Sequence, residues 1–240
     1  MKKRLVGILN LLGFIFLMIA SFIFSRKGNT FSTEDVSTIF MPSGYAFSIW
    51  ILIYILLAIW ILKSFFCKDK ICNMYSKAVK WVVPCFILTG LTVLVPTRIS
   101  NIFISLSLIT AIISYMTIHK SNISKLYRIP FSFLVGWLYV ATIVDWLLVL
   151  KLKGWFDRLN INEIILTIVM LGIGTFIGII FAMYFKDNII LSVLVWAYIA
   201  IAINNKDIKS IIVMTIGMCI IIILAIIYNL FSNKFRKNKF

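Results

Sequence analysis

Two groups of residues in this chain have types and spacings that could do chemistry. The first is the run Pro42-Ser43-Gly44-Tyr45-Ala46-Phe47-Ser48-Ile49-Trp50, continued through Ile51, Leu52 and Ile53 to Tyr54. Phe47, Trp50 and Tyr54 lie three and four residues apart, so in a helix their rings share one face. Such a face can wall a pocket for a flat ligand, or it can be the belt that Trp and Tyr form at headgroup level in membrane proteins generally. The second group is Trp137, Ala141 and Asp145, at i, i+4 and i+8 of an otherwise apolar run. That spacing sets a large ring, a small gap and a carboxylate on one helix face. Asp145 is the only acid well inside a predicted span. It either sits near the outer interface or marks a functional site, where a buried carboxylate needs a donor. Tyr54, Arg98 and a polar ligand are the candidate donors.

The elements that must position these residues are membrane spans. Hydrophobic residues make up 62% of the 240-residue chain and charged residues 13%, whereas soluble domains are only about half apolar. Apolar runs long enough to approach the ~20 residues of a span fall at 5–24, 45–66, 79–95, 99–118, 129–150, 163–185, 189–203 and 211–231. The expected fold is therefore an all-α polytopic bundle of eight transmembrane helices. The run 189–203 is the shortest, and crosses only by thinning the bilayer or using 186–188 as a snorkelling flank. Pro42 and Gly44 suit a helix entrance near Tyr45, with Ser43 as a cap, and Lys63 snorkels at the far end of that span. Pro130 falls in the first turn of the fifth span, where proline is tolerated. The first run exceeds a signal-peptide core and lacks a clear small-x-small cleavage site, so it reads as an uncleaved anchor.

The connector Lys151-Leu152-Lys153-Gly154-Trp155-Phe156-Asp157-Arg158 divides five spans from three. It sets the expected organisation: a five-helix core at 1–150, then three further helices and a basic tail at 151–240. No internal repeat argues for an inverted-repeat transporter. In the second part, Gly174, Gly178 and Ala182 form a small-x-x-x-small ladder that admits another helix closely, from this chain or from a second copy in a homodimer.

The net charge of +16 comes from Lys and Arg in loops and tails beside the spans, which the positive-inside rule explains without nucleic acid. Alternating eight spans puts 16 of the 24 Lys and Arg on the side of the N-terminus. Both termini are thus expected in the cytoplasm of a multi-pass cell-membrane protein, with the loop 25–44, including Glu34 and Asp35, outside. Cys67, Cys72, Cys85 and Cys219 contain no C-x-x-C pair, and His119, placed in a short loop, is the only histidine. No metal site is expected, and the thiols read as incidental.

Together the two opening segments resemble the TspO/MBR family, the tryptophan-rich sensory proteins related to the mitochondrial translocator protein. The second helix of that family opens with Pro-x-Gly-aromatic-x-Phe and continues to Trp and Tyr, similar to Pro42, Gly44, Tyr45, Phe47, Trp50 and Tyr54. Its fifth helix carries Trp, Ala-Thr and Leu-Asn, similar to Trp137, Ala141-Thr142 and Val144-Asp145. Residues 163–231 look like the three added helices of longer bacterial members, where Leu194-Val195-Trp196-Ala197 also recurs. Tyr45 stands where the family usually has Trp, and Asp145 where it has Asn. The resemblance implies a pocket among five helices, closed from outside by the 25–44 loop, that takes tetrapyrroles, sterols or similar flat apolar molecules. Pro42 and Gly44 then mark the hinge of that lid. Some members are associated with light-dependent porphyrin breakdown, but no acid–base triad is present here. The expectation is a sensor or regulator that requires no cofactor, whose partners are the bilayer and a small hydrophobic ligand; the sequence leans against an enzyme without deciding it. The alternative is a permease for such a substrate.

Overall fold

A computed structural model describes residues 3–26 and 36–237. Of the expected lid loop, residues 27–35, with Glu34 and Asp35, lie outside the described residues, as do Lys2 and the end of the basic tail. The described residues form nine α-helices and no strand: α1 (Lys3–Arg26), α2 (Ile49–Phe65), α3 (Asp69–Leu94), α4 (Thr97–Lys120), α5 (Ile129–Leu152), α6 (Trp155–Arg158), α7 (Glu163–Phe185), α8 (Asn188–Asn204) and α9 (Lys209–Lys237). Among the described residues, seven segments are long and apolar enough to cross a membrane, and the 17-residue α8 is shorter. At 1.5 Å per residue α8 reaches roughly 25 Å, short of the ~30 Å hydrocarbon core.

Several boundaries differ from those expected. The second span does not begin as an α-helix at Tyr45. Gly44–Ser48 form a 3-10 helix, and α2 proper starts at Ile49. The third span starts about ten residues early, at Asp69, so the polar stretch 69–78 is helical rather than a loop. Its Met74, Tyr75 and Ala78 are buried, a three-and-four spacing that gives this polar run a packing stripe. The seam after Lys153 contains the short helix α6, introduced by Gly154 at φ +69°, a left-handed backbone that glycine adopts without a Cβ penalty.

The chain divides into two compact units: Met1–Val36 with Ile49–Lys153, and Ser37–Ser48 with Gly154–Phe240. In the first unit, α1 packs on α2 and α3, α3 on α4, α4 on α5, and α5 on α2. Those pairs close a five-helix ring. Its interior side chains include Trp60, Tyr75, Tyr115, Phe131 and Trp137, all nearly inaccessible. Trp60 anchors one end, with its ring centroid 4.4 Å from Tyr75 and 5.0 Å from Phe131, while the Tyr75 hydroxyl donates to the Trp60 carbonyl at 2.7 Å.

In the second unit, α7, α8 and α9 pack on one another. Asn162 caps α7 by accepting from the Ile164 and Ile165 amides, and Asp187 caps α8 by accepting from Ile189. α8 runs back along α7. Ile39 receives the Asn205 side chain from the end of α8 on its carbonyl and donates its amide to Glu163 at the start of α7. Gly174, Gly178 and Ala182 are all buried. At Gly178 a Cβ would run into the side chain of Leu194, so the helix seated on the ladder there is α8 of the same chain.

Two expectations about isolated side chains are corrected. Cys67 and Cys72 are joined in a disulfide that closes the corner between α2 and α3, while Cys85 and Cys219 are free thiols. The five-residue separation lets a turn bring their Cα atoms to 5.1 Å, within bridging range. His119 belongs to the last turn of α4 rather than a loop, and its Nδ1 is hydrogen-bonded to the buried Arg128 guanidinium.

Candidate functional site

The motif from Pro42 to Tyr54 is divided between the units. Its first half belongs to the second unit. Pro42 is buried, and Tyr45 and Phe47 are 41% and 46% exposed. Tyr45 lies edge-on to Trp196 of α8 at 5.2 Å, and the Trp196 indole donates to the Ala46 carbonyl at 3.0 Å. The segment around them is held by its backbone. Ser43 donates its amide to the Ala200 carbonyl, Asn204 donates to Met41 O, and Asn205 donates to Ile39 O. A Cβ at Gly44 would meet nothing, and its φ is not left-handed, so neither space nor backbone demands glycine there.

The second half belongs to the ring. Trp50 and Tyr54, one helical turn apart on α2, are stacked with centroids 5.2 Å apart and planes at 25°. The Tyr54 hydroxyl bonds Ser21 Oγ of α1 at 2.8 Å, and Phe14 of α1 meets its ring edge-on at 6.2 Å. Ring and hydroxyl are therefore both fixed, which orients the stacked face of Trp50.

Trp137, Ala141 and Asp145 follow one face of α5 with graded burial: Trp137 is 1% exposed, whereas Ala141 and Asp145 are half-buried. The described donor to Asp145 is Ser100 of α4, whose hydroxyl lies 2.8 and 3.0 Å from the two carboxylate oxygens. Ser100 is in the first turn of α4, so the carboxylate sits at that end of the ring. The same hydroxyl lies 2.8 Å from the Thr97 carbonyl. It has one proton, and can donate to only one of these acceptors at a time. The next residue, Trp146, donates its indole N–H to Ser105 of α4 at 2.9 Å.

Three contributors escaped the sequence reading. Ser21 and Ser100 are small hydroxyls without a local motif, recognisable only once α1 meets α2 and α4 meets α5. Asn10 is a polar residue in the middle of an apolar helix, a signal that was present. It is inaccessible, and neither its amide nitrogen nor its oxygen has a partner among the described residues. Buried amides are ordinarily paired, which makes Asn10 a candidate polar contact inside the ring. Among the described residues no group of three or more His, Cys, Asp or Glu could hold a metal ion.

A family model described as TSPO-like protein matches residues 4–228, nearly the whole chain. Comparisons with curated proteins and with solved structures gave no match.

Proposed function

Because the chain belongs to the TSPO-like family, we propose that this multi-pass membrane protein is a ligand-binding sensor or regulator whose five-helix ring takes a flat, apolar, tetrapyrrole-like molecule. The observation that carries the reading is the Trp50–Tyr54 stack, clamped through Ser21 on the neighbouring helix. A fixed aromatic face binds a planar macrocycle at little conformational cost. Trp137 extends the apolar surface, and Asn10 and Asp145 supply polar groups for a ligand's edge. Tyr45, edge-on to Trp196, and Phe47 belong to the 3-10 segment that leads into α2.

Titration of the purified protein with protoporphyrin, followed by tryptophan fluorescence, tests this. Saturable quenching that weakens about tenfold or more in a Trp50→Ala/Trp137→Ala variant supports it, on the scale of two lost aromatic contacts. Quenching that is identical in the variant removes the pocket assignment. Asn10→Leu should weaken binding without loss of stability, because it deletes an amide that has no bond to lose among the described residues.

The partly buried Asp145 favours a second reading, a permease for a small hydrophobic substrate. Flux into proteoliposomes that disappears in Asp145→Asn would place transport above sensing. We further propose that both termini are cytoplasmic, on the strength of the Lys and Arg distribution. The Cys67–Cys72 bond lies on that same side, where the cytosol ordinarily keeps thiols reduced, so the two signals oppose each other. A Lys125→Cys substitution in the exposed α4–α5 turn resolves them. Labelling by an impermeant thiol reagent from outside intact cells would reverse the orientation.

A further inference from the structure

A cleft lies in the ring unit at the opposite end of α2 from Trp50, with a volume of about 490 Å³. That size suits a small ligand. One wall is the exposed apolar row of Ile59, Leu62 and Phe66, the last 80% accessible. The other carries Lys63, Lys68 and Tyr127, and no carboxylate lines the cleft. Lys63 holds its ammonium 5.7 Å from the centre of the Tyr127 ring, a cation–π contact that keeps the charge against the cleft instead of in bulk water. Cys67 forms part of the lining, and its bond to Cys72 pins the α2–α3 corner. The disulfide thus fixes one corner of the cleft before anything binds.

Position decides what such a cleft recognises. α2 is apolar along its length and Lys63 falls in its last turn, where a lysine reaches headgroup level. An apolar row beneath two ammonium groups at that depth matches an amphiphile with an acyl chain and an anionic head. We propose that this cleft binds an anionic phospholipid of the adjacent leaflet, with its phosphate against Lys63 and Lys68 and one acyl chain along Ile59, Leu62 and Phe66. A zwitterionic lipid offers the same chain, but its own cation opposes the two lysines. A soluble phosphate satisfies the lysines and leaves the apolar row bare.

Native mass spectrometry of the full chain, released from micelles containing equal phosphatidylglycerol and phosphatidylcholine of identical chains, tests the proposal. The wild type should retain phosphatidylglycerol in about tenfold excess or more. Lys63→Gln/Lys68→Gln should lose the preference and Lys63→Arg/Lys68→Arg should keep it, which separates charge from folding. Lys77→Gln/Lys80→Gln, on α3 outside the lining, should behave as wild type. A photoreactive phosphatidylglycerol should crosslink within residues 59–71. Equal retention of the two lipids by the wild type, an undiminished preference in the glutamine variant, or displacement of the lipid by inorganic phosphate alone would each overturn it.

Discussion

In the five-helix ring, side chains on different helices bond to each other: Ser21 with Tyr54, Ser100 with Asp145, Ser105 with Trp146, and Thr89 with Ser107. The C-terminal unit has such bonds too, Thr175 with Tyr198 and Asn229 with Asn188, but several of its side chains bond instead to the backbone of one short segment. Trp196 reaches Ala46, Asn204 reaches Met41, Asn205 reaches Ile39, and Glu163 accepts the Ile39 amide. The first arrangement fixes the orientation of individual groups on packed helices, which a binding site requires. The second captures a stretch of chain whatever its side chains are, because every residue offers a carbonyl. The difference gives α7 and α8 a role in the fold: they hold residues 37–48, which lead directly into α2.

The largest test of this contrast is Trp60→Ala. Trp60 is 2% exposed and packs on Tyr75 and Phe131, so its loss should cost about 3–5 kcal/mol, read from chemical unfolding in detergent. Amide exchange within 37–48 should stay as protected as in the wild type. If it rises in step with the ring, the two regions unfold as one and the contrast is only geometric. Gly178→Leu is the counterpart in the other unit. Its side chain would collide with Leu194, and overpacking of this kind costs about 1–3 kcal/mol. Adding Leu194→Ala should recover part of that loss, and failure to recover any would place another partner on the ladder.

Asn205→Leu strikes the captured segment and the end of α8 that holds it. It removes the bond to Ile39 O at 2.8 Å and a second to Ile201 O, at about 1 kcal/mol each. The Ser43 amide, bonded to Ala200 O, should then exchange several-fold faster while exchange in α4 and α5 is unchanged. Unchanged exchange at Ser43 would mean that the remaining contacts suffice and that the capture is redundant.

How much of this was legible beforehand follows from the range of each interaction. The helical bundle was readable because a span is a local property, about 20 apolar residues in a row; 163–185 coincides with α7 to the residue. The polar start of α3 was hidden because its packing stripe is interrupted by Lys70, Asn73 and Lys77, which average away in a hydropathy window. The ring positions Trp50, Tyr54 and Trp137 were visible from spacing. Their partners Ser21 and Ser100 were not, since a lone serine on an apolar helix has no signature until a second helix arrives. The division of the Pro42–Tyr54 motif was also invisible. Capture through backbone carbonyls leaves almost no trace in the sequence of the captured segment, and only Asn204, Asn205 and Trp196 advertise it from the other side.

The smallest expected effect bears on the ring's own device. Ser100 has one proton and two acceptors, Asp145 and the Thr97 carbonyl. With a carboxylate at this position, the proton goes to Asp145 and Thr97 forgoes it. In Asp145→Asn the amide N–H donates to Ser100 Oγ, and the hydroxyl turns to Thr97, so both bonds are made at once. Stability should therefore change by less than about 1 kcal/mol, whereas Asp145→Ala, which leaves Ser100 one partner, should cost about that much or more. Tolerance of the asparagine with a penalty for the alanine would show that the pair orients α4 against α5 by hydrogen bonding rather than by charge. A loss in Asp145→Asn as large as in Asp145→Ala would show the opposite: the ring holds a carboxylate there for its charge, in contrast to the neutral carbonyls that the C-terminal unit captures.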